Sequence, residues 1–259
     1  MDREYYSDSR FLENYSPSIP RMLEAGVHYG HPTRMWNPKM RQYIYGERDG
    51  RYLFDLSFTC FALNRACQFL RSMAKENKNI VFVGTKRKTV DAIEFHAKRS
   101  GSHFVNRRWL GGMLTNYGTM RLRISRLREL EQSIESGDFH RFAKKEQAAL
   151  YRQYLKLSNS LGGLKNLRGR PDVICVVDPG KEKTAILEAQ KIGIKTVAIV
   201  DTDCDPTGID YVVPGNDDSM KSVGLLLSCF ADAIIGEDQT DDGDDLSPSG
   251  VPVRPVLTF

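Results

Sequence analysis

The sequence predicts an α/β fold: a parallel sheet covered by helices on both faces, carrying an inserted antiparallel helical hairpin. Apolar, β-branched runs stand at Ile80–Val83, His103–Val105, Val173–Val177, Thr196–Val200 and Tyr211–Val213. Strands apolar along their whole length are buried on both faces, which is the habit of parallel sheets. Segments with helical spacing separate these runs, as crossover connections require. Between Asn116 and Pro171 no strand pattern occurs, and two apolar stripes take its place.

Taken in order, Ile19–Ala25 is a short helix with Pro20 in its first turn. Gly26–Met40 is rich in Gly, His, Pro and Asn and reads as irregular. Tyr52–Leu56 is a short strand, and Ser57–Lys75 has the helical spacing of Phe58, Phe61, Ala62, Phe69 and Leu70. Helices are expected at Thr89–Arg99, Lys183–Ile192 and Ser219–Ile235. In the insertion, Tyr117, Met120, Ile124, Leu127, Leu130 and Ile134 step by three and four, and Phe142, Leu150, Tyr154, Leu157 and Leu161 do much the same. Gly137-Asp138 lies between them, so the two arms fold back on each other. The organisation is a polar arm over 1–18, a globular domain over 19–116 and 171–235, a hairpin over 117–170, and an acidic, disordered tail over 236–259.

The 259 residues are 41% hydrophobic and 27% charged, enough for a sizeable core, and the net charge is +4. Its distribution carries more than its sum. The tail holds Glu237, Asp238, Asp241, Asp242, Asp244 and Asp245 against Arg254. Between Gly84 and Arg128 eleven lysines and arginines face only Asp91 and Glu94. Such density suits a polyanionic partner, and these cations are expected to gather into one electropositive surface. The five cysteines (60, 67, 175, 204 and 229) form no C-x-x-C pair, which disfavours a zinc module and fits reduced thiols. No apolar run is long enough to span a bilayer, and acidic residues near the N-terminus argue against a cleaved transit peptide.

Four segments could carry chemistry. Gly84-Thr85-Lys86-Arg87-Lys88 joins a strand to a helix, where backbone N–H groups can face an anion. It has neither dinucleotide nor P-loop spacing, and three adjacent cations suit a string of phosphates. Asn106-Arg107-Arg108-Trp109-Leu110-Gly111-Gly112-Met113-Leu114-Thr115-Asn116 pairs arginines with a tryptophan and a glycine pair, groups that contact phosphates and bases or complete the core. The loop from Gly26 to Met40 mixes imidazole, aromatic, amide and cationic groups; His28 and His31 lack companions for a metal set. Asp201-Thr202-Asp203-Cys204-Asp205 follows a strand, either as a metal–nucleotide D-x-D or as a turn closed by Asp side chains.

Five stretches in series (Leu23–Met40, Val83–Lys88, Asn106–Asn116, Pro171–Pro179 and Asp201–Pro206) closely resemble the family of protein 2 of the small ribosomal subunit, in its bacterial and plastid form. The resemblance covers residues 19–236. It implies a flavodoxin-like, Rossmann-like doubly wound sheet with a protruding helical hairpin. It further implies a structural, non-catalytic protein of the ribosome, bound to small-subunit rRNA between head and body on the solvent side. The expected RNA-facing positions are His28, His31, Thr33, Arg34, Trp36, Asn37, Lys39, Lys86, Arg87, Lys88, Asn106, Arg107, Arg108, Thr115, Asn116, Arg121, Arg123 and Arg126. Expected partners are the rRNA and neighbouring small-subunit proteins, including the largest one, with the messenger RNA path nearby; neither a membrane nor a second copy of the chain is expected. No cofactor or protein-held metal is implied beyond the magnesium of the rRNA. The setting is a bacterial cytoplasm, plastid stroma or mitochondrial matrix. Departures from the family pattern are Tyr29 and Tyr117 in place of Phe and Trp, Asp203 in place of Asn, Thr207-Gly208 where a further Asp is common, and the acidic end. The rival readings are a nucleotide-sugar transferase using Asp201 and Asp203 with a metal, and a protein adaptor using the hairpin.

Overall fold

The computed structural model describes residues 15–236. The expectations for the N-terminal arm up to residue 14 and for the tail from residue 237 lie outside the described residues. Strands β4 (Ile80–Val83), β5 (His103–Val105), β6 (Val173–Val177), β7 (Lys195–Val200) and β8 (Tyr211–Pro214) form one sheet in the order β5-β4-β6-β7-β8, every pair parallel. Counting from β4 this is the 2-1-3-4-5 order of flavodoxin-like sheets, with the direction of winding changing between β4 and β6.

Both faces are covered because the central strands β4 and β6 are apolar at every position. In β4 and β6, Ile80, Phe82, Val173, Cys175 and Val177 point to one face, where they meet α1 (Ile19–Ala25), α2 (Leu56–Lys75), α3 (Val90–Arg99) and α7 (Met220–Ile235). Val81, Val83, Ile174 and Val176 point to the other, where α4 (Tyr117–Glu135), the end of α5 (Lys144–Leu161) and α6 (Lys183–Ile192) lie. Phe82 has no exposed surface, and a side chain of this size contributes about 1.5–3 kcal/mol by burial.

The segment before α2 differs from expectation. Gly26–Met40, expected to be irregular, holds β1 (Tyr29–Pro32) and a 3-10 turn over Thr33–Met35, and runs into a second over Pro38–Tyr43. The strand expected at 52–56 is β3 (Arg51–Phe54), and it pairs antiparallel with β1 and with β2 (Ile44–Arg48), outside the parallel sheet. A two-residue turn explains the hairpin: Asp49 and Gly50 have φ of 52° and 72°, the twist that Asp-Gly supplies between paired strands. β3 stops because the Asp55 side chain accepts from the Ser57 N–H and caps α2.

α4 and α5 form the helical hairpin, reversed at Gly137 (φ 80°) and a 3-10 turn over Asp138–Arg141. Phe142 precedes α5 rather than opening it. Ile124, Leu127 and Leu161 are buried, with Tyr154 and Leu157 against them, so the lower part of the hairpin is an extension of the sheet's second core. At its base, the turn Gly162–Leu164 lies on β5 so closely that a Cβ on Gly163 would stand 2.2 Å from the Phe104 carbonyl oxygen. Gly163→Ala is therefore expected to lower stability by about 1–3 kcal/mol, since backbone cannot yield as a side chain can. Gly118→Ala, in α4 with open space around it, is expected to raise stability by about 0.5–1 kcal/mol. Urea denaturation of the two variants against the parent measures both.

Candidate nucleic-acid interface

All five parallel strands end at one edge of the sheet, and the loops leaving that edge are sorted by charge. After β5 come Asn106, Arg107 and Arg108; after β4 come Lys86, Arg87 and Lys88. After β6, β7 and β8 come Asp178, then Asp201, Asp203 and Asp205, then Asp217 and Asp218. The two halves meet at the winding reversal between β4 and β6, where sheets of this kind usually seat a ligand. Here the seat is filled from within. The Lys86 ammonium lies 2.9 Å from Asp178, 2.6 Å from Asp217 and 3.0 Å from Asp218. Beside it the Thr85 N–H and hydroxyl both donate to the buried Glu182 carboxylate, and Lys181 donates to the Thr85 carbonyl.

Burial opposes the charge of Lys86, but its bond to Asp217 and the neighbouring aspartates outweigh that and hold its pKa well above the ordinary lysine value. Asp217 has no exposed surface; burial, then the charge of Asp201, push it up to about 7 in spite of Lys86. Its second oxygen, Oδ2, has no hydrogen-bond partner. His31, at the end of β1, reaches into the same cluster, 3.1 Å from Asp201, 3.7 Å from Asp203 and 3.5 Å from Asp218. The Asp201 bond, set against a desolvation cost, raises its pKa to about 9, so the imidazole is a cation at neutral pH. His31, Asp201 and Asp203, or Asp178, Cys204 and Asp217, offer ligand atoms within 4.8 Å of one another and are the described groups able to hold a metal ion. An ion on the first set would compete with the proton that His31 carries. Asp201 is committed: it accepts from the Thr202 N–H, binds His31 and receives the Asp217 N–H. The D-x-D stretch is thus a turn that ties the small sheet to the large one; a Cβ on Gly30 would meet the Thr202 side chain.

The expected RNA-facing residues separate into two sets. Several are engaged within the chain. Besides Lys86 and His31, Lys39 binds Asp205 and Thr207, both at 2.8 Å. Asn37 caps the 3-10 turn Pro38–Tyr43 through the Lys39 N–H, Trp36 lies against Tyr52, and half-buried His28 lies against Tyr29. Asn106 is buried and donates to the Val90 carbonyl and to Glu94. The Thr115 hydroxyl donates to Glu188, and Asn116 accepts from Thr119. Thr33 is half-buried in the turn that Arg34 shares. The other set points outward: Arg34, Arg87, Lys88, Arg107, Arg108, Arg121 and Arg123 are exposed and make no ion pair within the described residues. Arg126 pairs with Glu129 on its own helix.

The single electropositive surface expected from the sequence is not what forms. Lys86 turns inward, Lys98 pairs with Glu94, and Arg99 pairs with Asp232. On α4, Arg123 and Arg126 are displaced from Arg121 by about 160° and 140° around the axis, so the hairpin arginines lie on opposite flanks.

The family described as Ribosomal protein S2 matches the chain over residues 22–236. The chain belongs to that family. Ribosomal protein S2 is a structural, non-enzymatic component of the small ribosomal subunit, and the flavodoxin-like sheet and inserted hairpin are what membership implies. Among the described residues no helix is long and apolar enough to cross a membrane.

Within this S2 chain the sequence reading missed the residue that builds the second loop. Glu188 on α6 accepts from the N–H groups of Gly112, Leu114 and Thr115, from the Trp109 indole and from the Thr115 hydroxyl. One carboxylate thereby shapes the turn that presents Arg107 and Arg108. The signal was available: Glu188 stands among Ala185, Ile186 and Ala189, on the buried stripe of its helix. Burial raises its pKa, but the backbone donors lead a larger opposite effect, and the net shift is downward. A carboxylate held below its unfolded value stabilises the fold above that value, about 4.3, and the contribution fades as pH falls through the lowered one. Glu188→Gln should lose about 1–3 kcal/mol at neutral pH, and its stability should fall less steeply below pH ~4 than the parent's. Chemical denaturation across pH, followed by Trp fluorescence, checks both.

Proposed function

We propose that this chain binds folded small-subunit rRNA through the cationic end of its sheet edge, between head and body on the solvent side, as a scaffold rather than a catalyst. The observation that carries the reading is the placement of Arg87, Lys88, Arg107 and Arg108. Val83 and Val105 are register partners at the ends of adjacent parallel strands, so both loops leave the sheet side by side. Their four cations are exposed and hold no ion pair within the described residues. A fixed group of arginine forks and a lysine matches phosphates, and releasing counterions from RNA drives the association. Glu188 and the Lys86 cluster hold these loops in place before RNA arrives, which spares ordering cost on binding.

The other end of the edge, acidic and anchored by His31, offers a surface of opposite sign. It suits a basic neighbour, and we assign to it the docking of adjacent small-subunit proteins, the largest one included, beside the messenger RNA path. The transferase reading has little support in the geometry. The reversal crevice that would seat a nucleotide is occupied by Lys86, and Asp201 is spent on His31 and two backbone N–H groups.

Two variants separate binding from folding. Arg107→Ala/Arg108→Ala should weaken binding to a small-subunit rRNA transcript and reduce the slope of log affinity against log salt by about 2, with stability unchanged. Lys86→Met should do the reverse: it leaves the cluster of aspartates without its cation and should cost about 3–5 kcal/mol of stability, while the salt slope stays as in the parent. Filter binding across a salt series, paired with thermal melts, reads both. An unchanged slope in the double arginine variant overturns the proposal.

A further inference from the structure

A second cationic site lies away from the strand-end loops, and it rests on the reading that this chain binds rRNA. Where the lower part of α4 passes the segment leading into β6, the two enclose a groove of about 590 Å³. α4 contributes Tyr117, Arg121, Ser125 and Arg128; the facing segment contributes Asn166 and Arg168. No carboxylate lines it. On a helix, positions 117, 121 and 128 fall within about 40° of one another, so these three form a row about 16 Å long. Arg168 is brought to that row from forty residues further along the chain by β4: the Asn79 side chain, just ahead of that strand, donates to the carbonyls of Arg168 and Arg170. Arg128 is pre-set, since its guanidinium donates to the Lys165 carbonyl. Arg121 and Arg168 make no ion pair within the described residues. Tyr117 is half-buried and feels the charges of Arg121, Arg128 and Arg170 together.

Three guanidinium groups without a counter-charge, spaced along a groove with an aromatic ring at one end and amide and hydroxyl groups between, is a combination that serves nucleic acid. Arginine forks take phosphate oxygens two at a time. A phenol ring takes the face of an unstacked base, which a peptide acid has no use for. We propose that this groove is a separate seat for an unpaired stretch of rRNA, its phosphates on Arg121, Arg128 and Arg168 and one base against Tyr117. It begins at the foot of the loop that carries Arg107 and Arg108 and ends near the opposite edge of the sheet. One RNA segment can thus follow α4 from the first site to the second.

The test uses the whole chain and a small-subunit rRNA transcript carrying 4-thiouridine. Photocrosslinks should map to peptides containing Tyr117–Arg128 and Asn166–Arg170, as well as to the strand-end loops. Arg121→Ala/Arg168→Ala should reduce affinity about tenfold or more and lower the salt slope by about 2. Tyr117→Leu should cost about tenfold while Tyr117→Phe, which keeps the ring, costs little. Arg121 and Arg168 lie at the surface and Tyr117→Phe conserves the ring, while Tyr117→Leu trims a half-buried side chain; thermal melts on each variant separate loss of fold from loss of binding. If crosslinks and affinity loss appear for Arg107→Ala/Arg108→Ala but not for the groove variants, the groove proposal falls and the first reading stands. If neither set responds, both fall. If the groove variants instead lose binding to an acidic peptide, such as one spanning Glu237–Asp245, while RNA affinity is untouched, the groove belongs to protein and the proposal is overturned.

Discussion

The ammonium of Lys86 is the fixed point around which the rest of this structure is arranged. A cation at the winding reversal of a parallel sheet would ordinarily await an anionic ligand. Here Asp178, Asp217 and Asp218 supply the counter-charge from the ends of β6 and β8. The arrangement is mutual: Asp217 has no exposed surface, so its ionised form depends on Lys86, and the half-buried Lys86 is drawn inward by the groups it neutralises. Asp178 adopts a left-handed backbone (φ 61°), rare for a residue with a side chain, and its Oδ1 accepts the Lys181 N–H in that conformation. Three strand ends are tied by one charge. The remaining cations of β4 and β5 are left on one side of that knot and the acids on the other, which gives the sheet edge its polarity.

How much of this could be read from the amino acids depends on the distance over which each feature is decided. The parallel strands and both hairpin helices were legible because apolar periodicity is local. The β1–β3 sheet was not, because its strands are short and half exposed and its Gly, His and Pro residues suggest loop; yet the Asp49-Gly50 turn was a fair signal for the hairpin. The cationic site was partly legible. Arg87 and Arg107 are outward, as their polarity suggests. Lys86, between similar neighbours in sequence, turns inward only because residues 178, 217 and 218 converge on it, and sequence spacing carries no trace of that. Asn106 and Thr115 were read as RNA-facing, and their side chains are engaged within the chain by Glu94 and Glu188. The same holds for α4: a run of arginines looks like one patch until helical rotation divides it.

The fold is one that elsewhere holds nucleotides, and this chain shows how such a frame becomes a scaffold. The crevice is closed by an ion cluster, the loop after β5 is drawn onto α6 by Glu188, and the hairpin core continues that of the sheet. Each change trades a movable, solvent-filled feature for a rigid one. Rigid loops are poor at closing over a substrate and good at holding phosphate contacts in register with a structured partner.

The close seat of Gly163 on the Phe104 backbone has a consequence for the chain before assembly. β5 is an outer strand of three residues, and an uncovered outer strand invites another polypeptide to add to it. The turn at the root of the hairpin lies across that margin, at a distance only a residue without a side chain permits. The insertion therefore also covers the β5 margin at its root, so that newly made copies awaiting a ribosome cannot stack through that strand.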